Sequence, residues 1–204
     1  MVSSQISARG IRNARVLSAM TEIPRHLFVS KEQLKYAYDD NPLSIGHGQT
    51  ISQPYMVALM TELLELKGDE KTLEIGTGCG YQTAVLARLS KFVYTVERIE
   101  TLSLAAQAHL EELGINNVLF RVGDGTVGWA EHAPFDGIMV TAGCPVIPET
   151  LTDQLADNGK LVIPVGDRFS QTLKRITRSG DSFKSQSFTA CRFVDLIGRH
   201  GWPE

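Results

Sequence analysis

Glycines stand at positions 76, 78 and 80, directly after the apolar run Thr72-Leu73-Glu74-Ile75 and directly before a helical pattern over residues 81–89. The stretch reads as a strand entering a G-x-G-x-G turn that opens a helix. Glycine tolerates the positive φ such a turn needs, and it lacks the Cβ that would hold a ligand away from the main chain. The spacing is not the G-x-G-x-x-G of dinucleotide binders, which seats a pyrophosphate on the helix N-terminus. A tight strand-to-helix turn without a ligand is the alternative that the glycines alone leave open.

Two carboxylates narrow the choice. Glu97 follows the next β-branched and aromatic run, Phe92-Val93-Tyr94-Thr95-Val96, twenty-one residues beyond Gly76. In doubly wound nucleotide sites an acid at that place accepts the ribose hydroxyls of an adenosine. Taken alone, Glu97 is as readily a surface glutamate. Asp124 lies between Gly123 and Gly125 after the apolar run at 118–122, where it can accept from an adenine amino group or close an Asx turn. Three loops therefore fall at carboxyl ends of strands, the edge along which open α/β sheets bind ligands. An adenosine on that edge, with an amino-acid end against the glycine turn, points to S-adenosylmethionine and to methyl transfer.

The elements that must position these residues follow from hydrophobic periodicity. Residues 7–20 carry apolar side chains at helical spacing with Arg9, Arg12 and Arg15 between them, which predicts one amphipathic helix or two short ones. A short helix is expected at 31–36, a turn at Asp39-Asp40-Asn41-Pro42, and a loop without clear periodicity over 43–52. Pro54 opens a core-facing helix, with Ser52 a candidate N-cap. Strands are expected at 72–75, 92–96, 118–122, 135–140 and 161–165, and helices at 81–89, 102–113 and 148–156. Such alternation requires crossovers and so a mostly parallel sheet covered on both faces. Residues 172–178 and 182–193 flank Gly180-Asp181 and read as an antiparallel hairpin. The expected fold is α/β: a doubly wound, mostly parallel, Rossmann-like sheet with N-terminal helices and a C-terminal antiparallel β-hairpin. One domain is expected, with a helical and loop section at 1–53, an α/β core at 54–166 and a β section at 167–204.

With these motifs placed, the segment Gly48-Gln49-Thr50-Ile51-Ser52-Gln53-Pro54-Tyr55-Met56, followed by LEIGTGCGYQTAVLA, TVERI, GDG and APFDGIMVTA, resembles the protein-L-isoaspartate O-methyltransferase family in order and separation. The likeness runs from about Ile23 to Gly166. It implies that Ser52 is the active-site hydroxyl, with Thr50 and Ile51 lining the same substrate pocket. It implies cofactor contacts from Glu74, Gly76, Thr77, Gly78 and Gly80 at the methionine end, from Glu97 at the ribose, and from Asp124 and Gly125 at the adenine. The implied cofactor is S-adenosyl-L-methionine, leaving as S-adenosyl-L-homocysteine, and the implied partners are damaged proteins and peptides that contain isoaspartate. Cys79, Cys144 and Asp195 depart from the family's usual small hydroxyl residue, alanine and proline.

The reaction so implied needs little side-chain chemistry. An isoaspartyl α-carboxylate is already ionised near neutral pH, so its oxygen attacks a sulfonium methyl without a general base. Ser52 is then expected to donate a hydrogen bond to the carboxylate; no adjacent base marks it as a nucleophile. His47 is the histidine nearest the motifs and is expected in solvent.

Composition closes off other classes. At 43% hydrophobic and 21% charged, the chain is neither disordered nor fibrous. A net charge of −3 removes the simplest electrostatic case for nucleic acid. Apolar stretches are broken well before a membrane span, and no signal-peptide h-region opens the chain, so a cytoplasmic protein without membrane association is expected. Cys79, Cys144 and Cys191 have no metal-ligand spacing, and no metal is expected. A monomer or weak oligomer is the remaining expectation.

Overall fold

The computed structural model describes every residue from Met1 to Glu204. Nearly continuous apolar runs form the inner strands, because a parallel strand is covered on both faces and has no polar side to show. These strands are β3 (Lys71–Ile75), β4 (Phe92–Glu97), β5 (Val118–Val122), β6 (Phe135–Val140) and β7 (Leu155–Gly166). With β8 (Gln171–Ser179) and β9 (Ser182–Cys191) they make one seven-stranded sheet in the order β5-β4-β3-β6-β7-β8-β9. The pairs from β5 to β7 are parallel. The last two pairs are antiparallel. Strand order turns back on itself between β3 and β6, and the loops on either side of that point open a crevice at the carboxyl edge.

Side chains alternate between two cores. Val93, Met139, Val162 and Leu173 pack toward α1 (Ala14–Glu22), α2 (Pro54–Leu64), α3 (Tyr81–Leu89) and Leu110 of α4 (Glu100–Glu112). Leu73, Ile75, Ile138, Val140, Leu161 and Ile163 face Trp129, Leu196 and Leu151, the last in the single-turn helix α5 (Glu149–Thr152). Trp129 and Phe135 are both core residues. No helix is long and apolar enough to cross a membrane.

The parallel sheet, the flanking helices and the terminal hairpin agree with expectation, and three local expectations change. Residues 43–52 are not an irregular loop: β1 (Leu43–Gly46) and β2 (Gln49–Ile51) form an antiparallel hairpin. Its two-residue turn, His47-Gly48, has positive φ at both positions (52° and 69°), the geometry that matches strand twist. Ser52 is not the cap of α2. Gln53 holds that place, and its side chain accepts no N–H of the helix; instead Asp40 accepts the Tyr55 N–H at 3.2 Å. The helix expected at 148–156 stops after one turn, because Leu155 pairs with Phe135 and starts β7, so sheet pairing overrides a spacing that suits either element. Of the two forms expected for the N-terminal arginine-rich segment, the two short helices are present: Gly10, with a φ of 102°, ends one stretch before Asn13 caps α1.

Candidate active site

The turn after β3 is shaped by what its glycines face. A Cβ on Gly76 would run into Thr141 Oγ1. That hydroxyl donates to the carbonyls of Ile75 (3.0 Å) and Gly76 (2.7 Å), and so ties the turn to the end of β6. Gly78, at φ 55°, faces nearly open space, with Ile45 Cδ1 3.4 Å from where a Cβ would sit. Gly80 points the other way: its Cβ would meet Leu110 and Ala106 of α4 at 2.9 and 3.0 Å. It serves the seating of α4 under the turn, outside the cleft.

Glu97 closes the turn from the neighbouring strand. Its Oε2 accepts from Gly78 N and its Oε1 from Ile99 N, both at 2.9 Å. The carboxylate is thereby aimed, with unused lone pairs, along a cleft of about 600 Å³. Gln49, Thr50, Gly76, Gly78, Glu97, Gly125 and Thr141 line this cleft. A second chamber of about 340 Å³ is lined by Thr50, Ile51, Ser52, Thr77, Cys79, Tyr81 and Gln82. Thr50, Gly76, Gly78 and Thr141 border both spaces, so the two meet over the glycine turn.

Glu74 lies beneath the turn, fully buried, and touches neither space. Thr77 hydrogen-bonds Thr95 at 2.6 Å, and Thr95 and Thr83 donate to Glu74 Oε2 at 2.7 and 2.6 Å. Burial pushes the Glu74 carboxyl up to about 8, the two threonine hydroxyls opposing the shift and the neighbouring Glu97 carboxylate adding to it. Its contribution to the turn is a hydroxyl chain from below.

Asp124 does not line the cleft either. Its Oδ1 accepts from Thr126 N (2.8 Å) and Thr126 Oγ1 (2.6 Å), and its Oδ2 accepts from Arg199 N (2.8 Å). Burial alone would raise its pKa, yet the Arg199 and Thr126 donors hold it below the ordinary aspartate value. The Asx-type turn is therefore real, and it places Gly125 against Ile75 at the cleft wall while anchoring the C-terminal segment.

That segment supplies residues for which the sequence held no local signal. Gly143 N donates to Val194 O (2.7 Å) and Leu196 N to Gly143 O (2.8 Å), which lays residues 194–197 along the cleft. Trp202 Nε1 adds a bond to Gly143 O at 3.1 Å. Asp195 lines the cleft and pairs with Arg168 at 3.3 Å. Thr141 could have been found by extending the strand-end rule to a fourth strand. His47 is exposed and bonds Thr101 Oγ1 through Nε2 at 3.1 Å. Burial pushes the Cys79 thiol up to about 11, so it is inert despite lining the Ser52 chamber.

A main-chain cradle, an aimed carboxylate and an adjoining hydroxyl-lined chamber suit an adenosyl cofactor beside a small polar group, and comparison with known proteins agrees. The family model for protein-L-isoaspartate(D-aspartate) O-methyltransferase matches residues 1–201. The chain belongs to the protein-L-isoaspartate O-methyltransferase family. A relative of that name from Geobacter metallireducens is 57% identical over 203 residues, covering 99% of this chain and 94% of the relative. One from Syntrophus aciditrophicus is 56% identical over 205 residues, covering 99% and 94%. Among solved structures, a Plasmodium falciparum protein described as a member of this family, in complex with S-adenosyl-L-homocysteine, is 28% identical with a TM-score of 0.84, over 96% of each chain. The residues present fit such a cofactor: Gly76 and Gly78 bring bare main chain to the cleft wall, and the Glu97 carboxylate keeps unused lone pairs toward it. Members of the family use S-adenosylmethionine, and no group of three or more His, Cys, Asp or Glu is placed to hold a metal ion.

Proposed function

We propose that the two adjoining spaces divide the family's reaction between them, the larger cleft holding S-adenosylmethionine and the Ser52 chamber holding the carboxylate it methylates. As a member of the family, the chain is an S-adenosylmethionine-dependent protein carboxyl O-methyltransferase. It methylates the free α-carboxylate of L-isoaspartyl residues in damaged proteins and peptides, the step that initiates their repair. The observation that carries this assignment to residues is the shared wall: Thr50, Gly76, Gly78 and Thr141 border both spaces, so donor and acceptor meet there.

The bound cofactor supplies an electrophilic methyl group, and the protein's own residues do the rest by placement. Gly76 and Gly78 take the methionine end, Glu97 accepts from the ribose, and Gly125 forms the wall at the adenine end, while Thr77, expected beside the two glycines, borders the Ser52 chamber instead. Glu74, Gly80 and Asp124 act one layer back, on the turn, on α4 and on the C-terminal segment. Ser52, whose hydroxyl makes no bond within the protein, donates to the substrate carboxylate, with Thr50 and Ile51 beside it. The first residues of α3, Tyr81 and Gln82, also line that chamber, so the positive end of a helix faces an anion. The carboxylate is ionised in solution and no base is needed, which suits a chamber with no titratable carboxylate in its wall. Orienting two reactants in a shielded site lowers a barrier by about 7–11 kcal/mol, enough to account for most of the catalysis. The protein meets its partners in the cytoplasm as a monomer or weak oligomer.

The test is labelled methyl transfer to an isoaspartyl peptide, run beside the same peptide with a normal aspartyl linkage. Transfer is expected to the first and not to the second. Equal transfer to both, or none to either, rejects the assignment.

A further inference from the structure

The Ser52 chamber receives an anion, yet no lysine, arginine or histidine lines it. Behind its wall lies a cation, Arg25, which is 0% exposed. Its guanidinium carbon lies 4.9 Å from the ring centroid of Tyr81, and Tyr81 and Cys79 are part of the chamber wall. Only Nε has a hydrogen-bond partner, the Ala37 carbonyl at 2.9 Å; Nη1 and Nη2 have none. The Tyr81 hydroxyl faces Met20 Sδ, 3.8 Å away. The nearest carboxylate, Asp40, is already committed to Arg9 (2.6 Å), Gln53 Nε2 (2.8 Å) and Tyr55 N (3.2 Å).

A buried guanidinium with two unbonded nitrogens and no counterion of its own is costly, and proteins seldom keep one without use. Burial accordingly lowers the Arg25 pKa, while Tyr81, Cys79 and Asp40 oppose that shift. The charge nevertheless stays on at any ordinary pH, since a guanidinium does not deprotonate in proteins. Its field reaches the chamber through the buried side chains of Tyr81 and Cys79, and buried charges are screened much less than exposed ones.

We infer that Arg25 is a positioning residue whose buried charge, acting across Tyr81 and Cys79, holds the substrate carboxylate in the Ser52 chamber. The inference rests on the reading of that chamber as the carboxylate's seat. It also dictates where the effect falls. Methylation turns the carboxylate into a neutral ester: a carboxylate oxygen forms the new bond to the methyl carbon, and the pair of the broken carbon–sulfur bond stays on sulfur. The attraction to Arg25 is therefore strongest in the ground state and fades along the reaction. Arg25 lowers KM for the peptide, leaves kcat untouched or slightly reduced, and eases release of the neutral ester.

The test compares wild type, Arg25→Met and Arg25→Lys with an isoaspartyl peptide as substrate and its neutral α-carboxamide as inhibitor. A unit charge acting over about 10 Å at an effective dielectric near 20 changes affinity on the order of tenfold. Arg25→Met is expected to raise the peptide KM by about that factor without lowering kcat, and to leave the carboxamide Ki unchanged. Arg25→Lys, which keeps the charge but not the fork, should stay near wild type in KM. If KM does not move, or if peptide and carboxamide weaken together, Arg25 is only a packing residue and the inference fails. Should Arg25→Met not fold, Arg25→Gln, which keeps a donor for the Ala37 carbonyl, carries the same comparison. Wild-type protein that does not methylate the peptide would instead remove the underlying reading.

Discussion

The cofactor cleft and the Ser52 chamber share four wall residues but are built from different materials. The cleft is main chain at the carboxyl ends of β3, β4 and β6, held by bonds such as Gly78 N to Glu97 and Thr141 Oγ1 to Gly76 O. The chamber is side chains from a two-stranded hairpin and the start of α3, held by a few long-range ties such as Asp40 to Gln53 and Tyr55. A site made largely of backbone has few side chains to lose, Glu97 chief among them, so it is damaged mainly by adding atoms. A site made of side chains is damaged by removing them.

Gly78→Val tests the first half and should have the largest effect. A β-branched residue at φ 55° is strained, and relieving that strain moves the N–H away from Glu97. Added bulk also enters the cleft. Affinity for S-adenosylmethionine should fall by roughly a hundredfold or more, while melting stays cooperative. Gly80→Ala is the control, since its methyl collides with Leu110 and Ala106 and not with ligand. Calorimetry showing the same affinity loss in both would mean that the turn works only as a rigid unit and that Gly78 faces no ligand.

Beneath that turn, Glu74 gives a pH signature. Its folded pKa, about 8, lies above the ordinary 4.5, so the unfolded chain ionises first as pH rises. Its part in stability is then complete below about pH 4.5 and is lost as the pH climbs toward 8. Glu74→Gln, which cannot ionise, should gain on wild type across that window, by on the order of 3 kcal/mol at its upper end. Denaturant melts at pH 5 and pH 8 measure it. A stability difference that stays flat between them would mean that Glu74 is already ionised in the folded protein.

Ser52→Ala probes the other half. Losing one donor to a charged acceptor costs about 2 kcal/mol, so kcat/KM for an isoaspartyl peptide should drop roughly thirtyfold. Affinity for S-adenosylmethionine should hold, because Ser52 borders the chamber and not the cleft. A matching loss in cofactor binding would erase the division between the two halves.

The same contrast explains what could be read from sequence. The turn at 76–80, the acid at 97 and the strands that present them are local patterns, and the sheet follows from the alternation of apolar runs. The hairpin at 43–51 was harder: Leu43, Ile45 and Ile51 do alternate, but His47-Gly48 is not among the strongest turn dipeptides, so the segment read as loop. Of residues 194–197 only Asp195 is marked in the sequence, by the resemblance, and no local pattern places any of them at the cleft. Their place depends on a pairing with Gly143 some fifty residues earlier, and nothing in a short window reports such a partner. Arg25 was equally silent, because an arginine in sequence gives no hint that it will be sealed behind Tyr81.

Asp124 sits between the two cases, and its substitution should have the smallest effect. Both readings of it were open in the sequence, and they separate in a single variant. The carboxylate caps a turn through Thr126 and fastens the C-terminal segment through Arg199 N. Asp124→Ala should then cost about 1 kcal/mol, the typical worth of a cap, and speed amide exchange at Arg199 and His200, whose N–H groups bond Asp124 and Thr126. Affinity for S-adenosylmethionine should change only through looser residues 194–197, by less than about threefold, a fraction of a kcal/mol. Unchanged exchange with a tenfold weaker cofactor would instead place the carboxylate on the adenine. Because Gly198 packs so closely that a Cβ there would overlap Asp124, Gly198→Ala offers a second approach: it should reproduce the faster exchange with the Asp124 side chain still present.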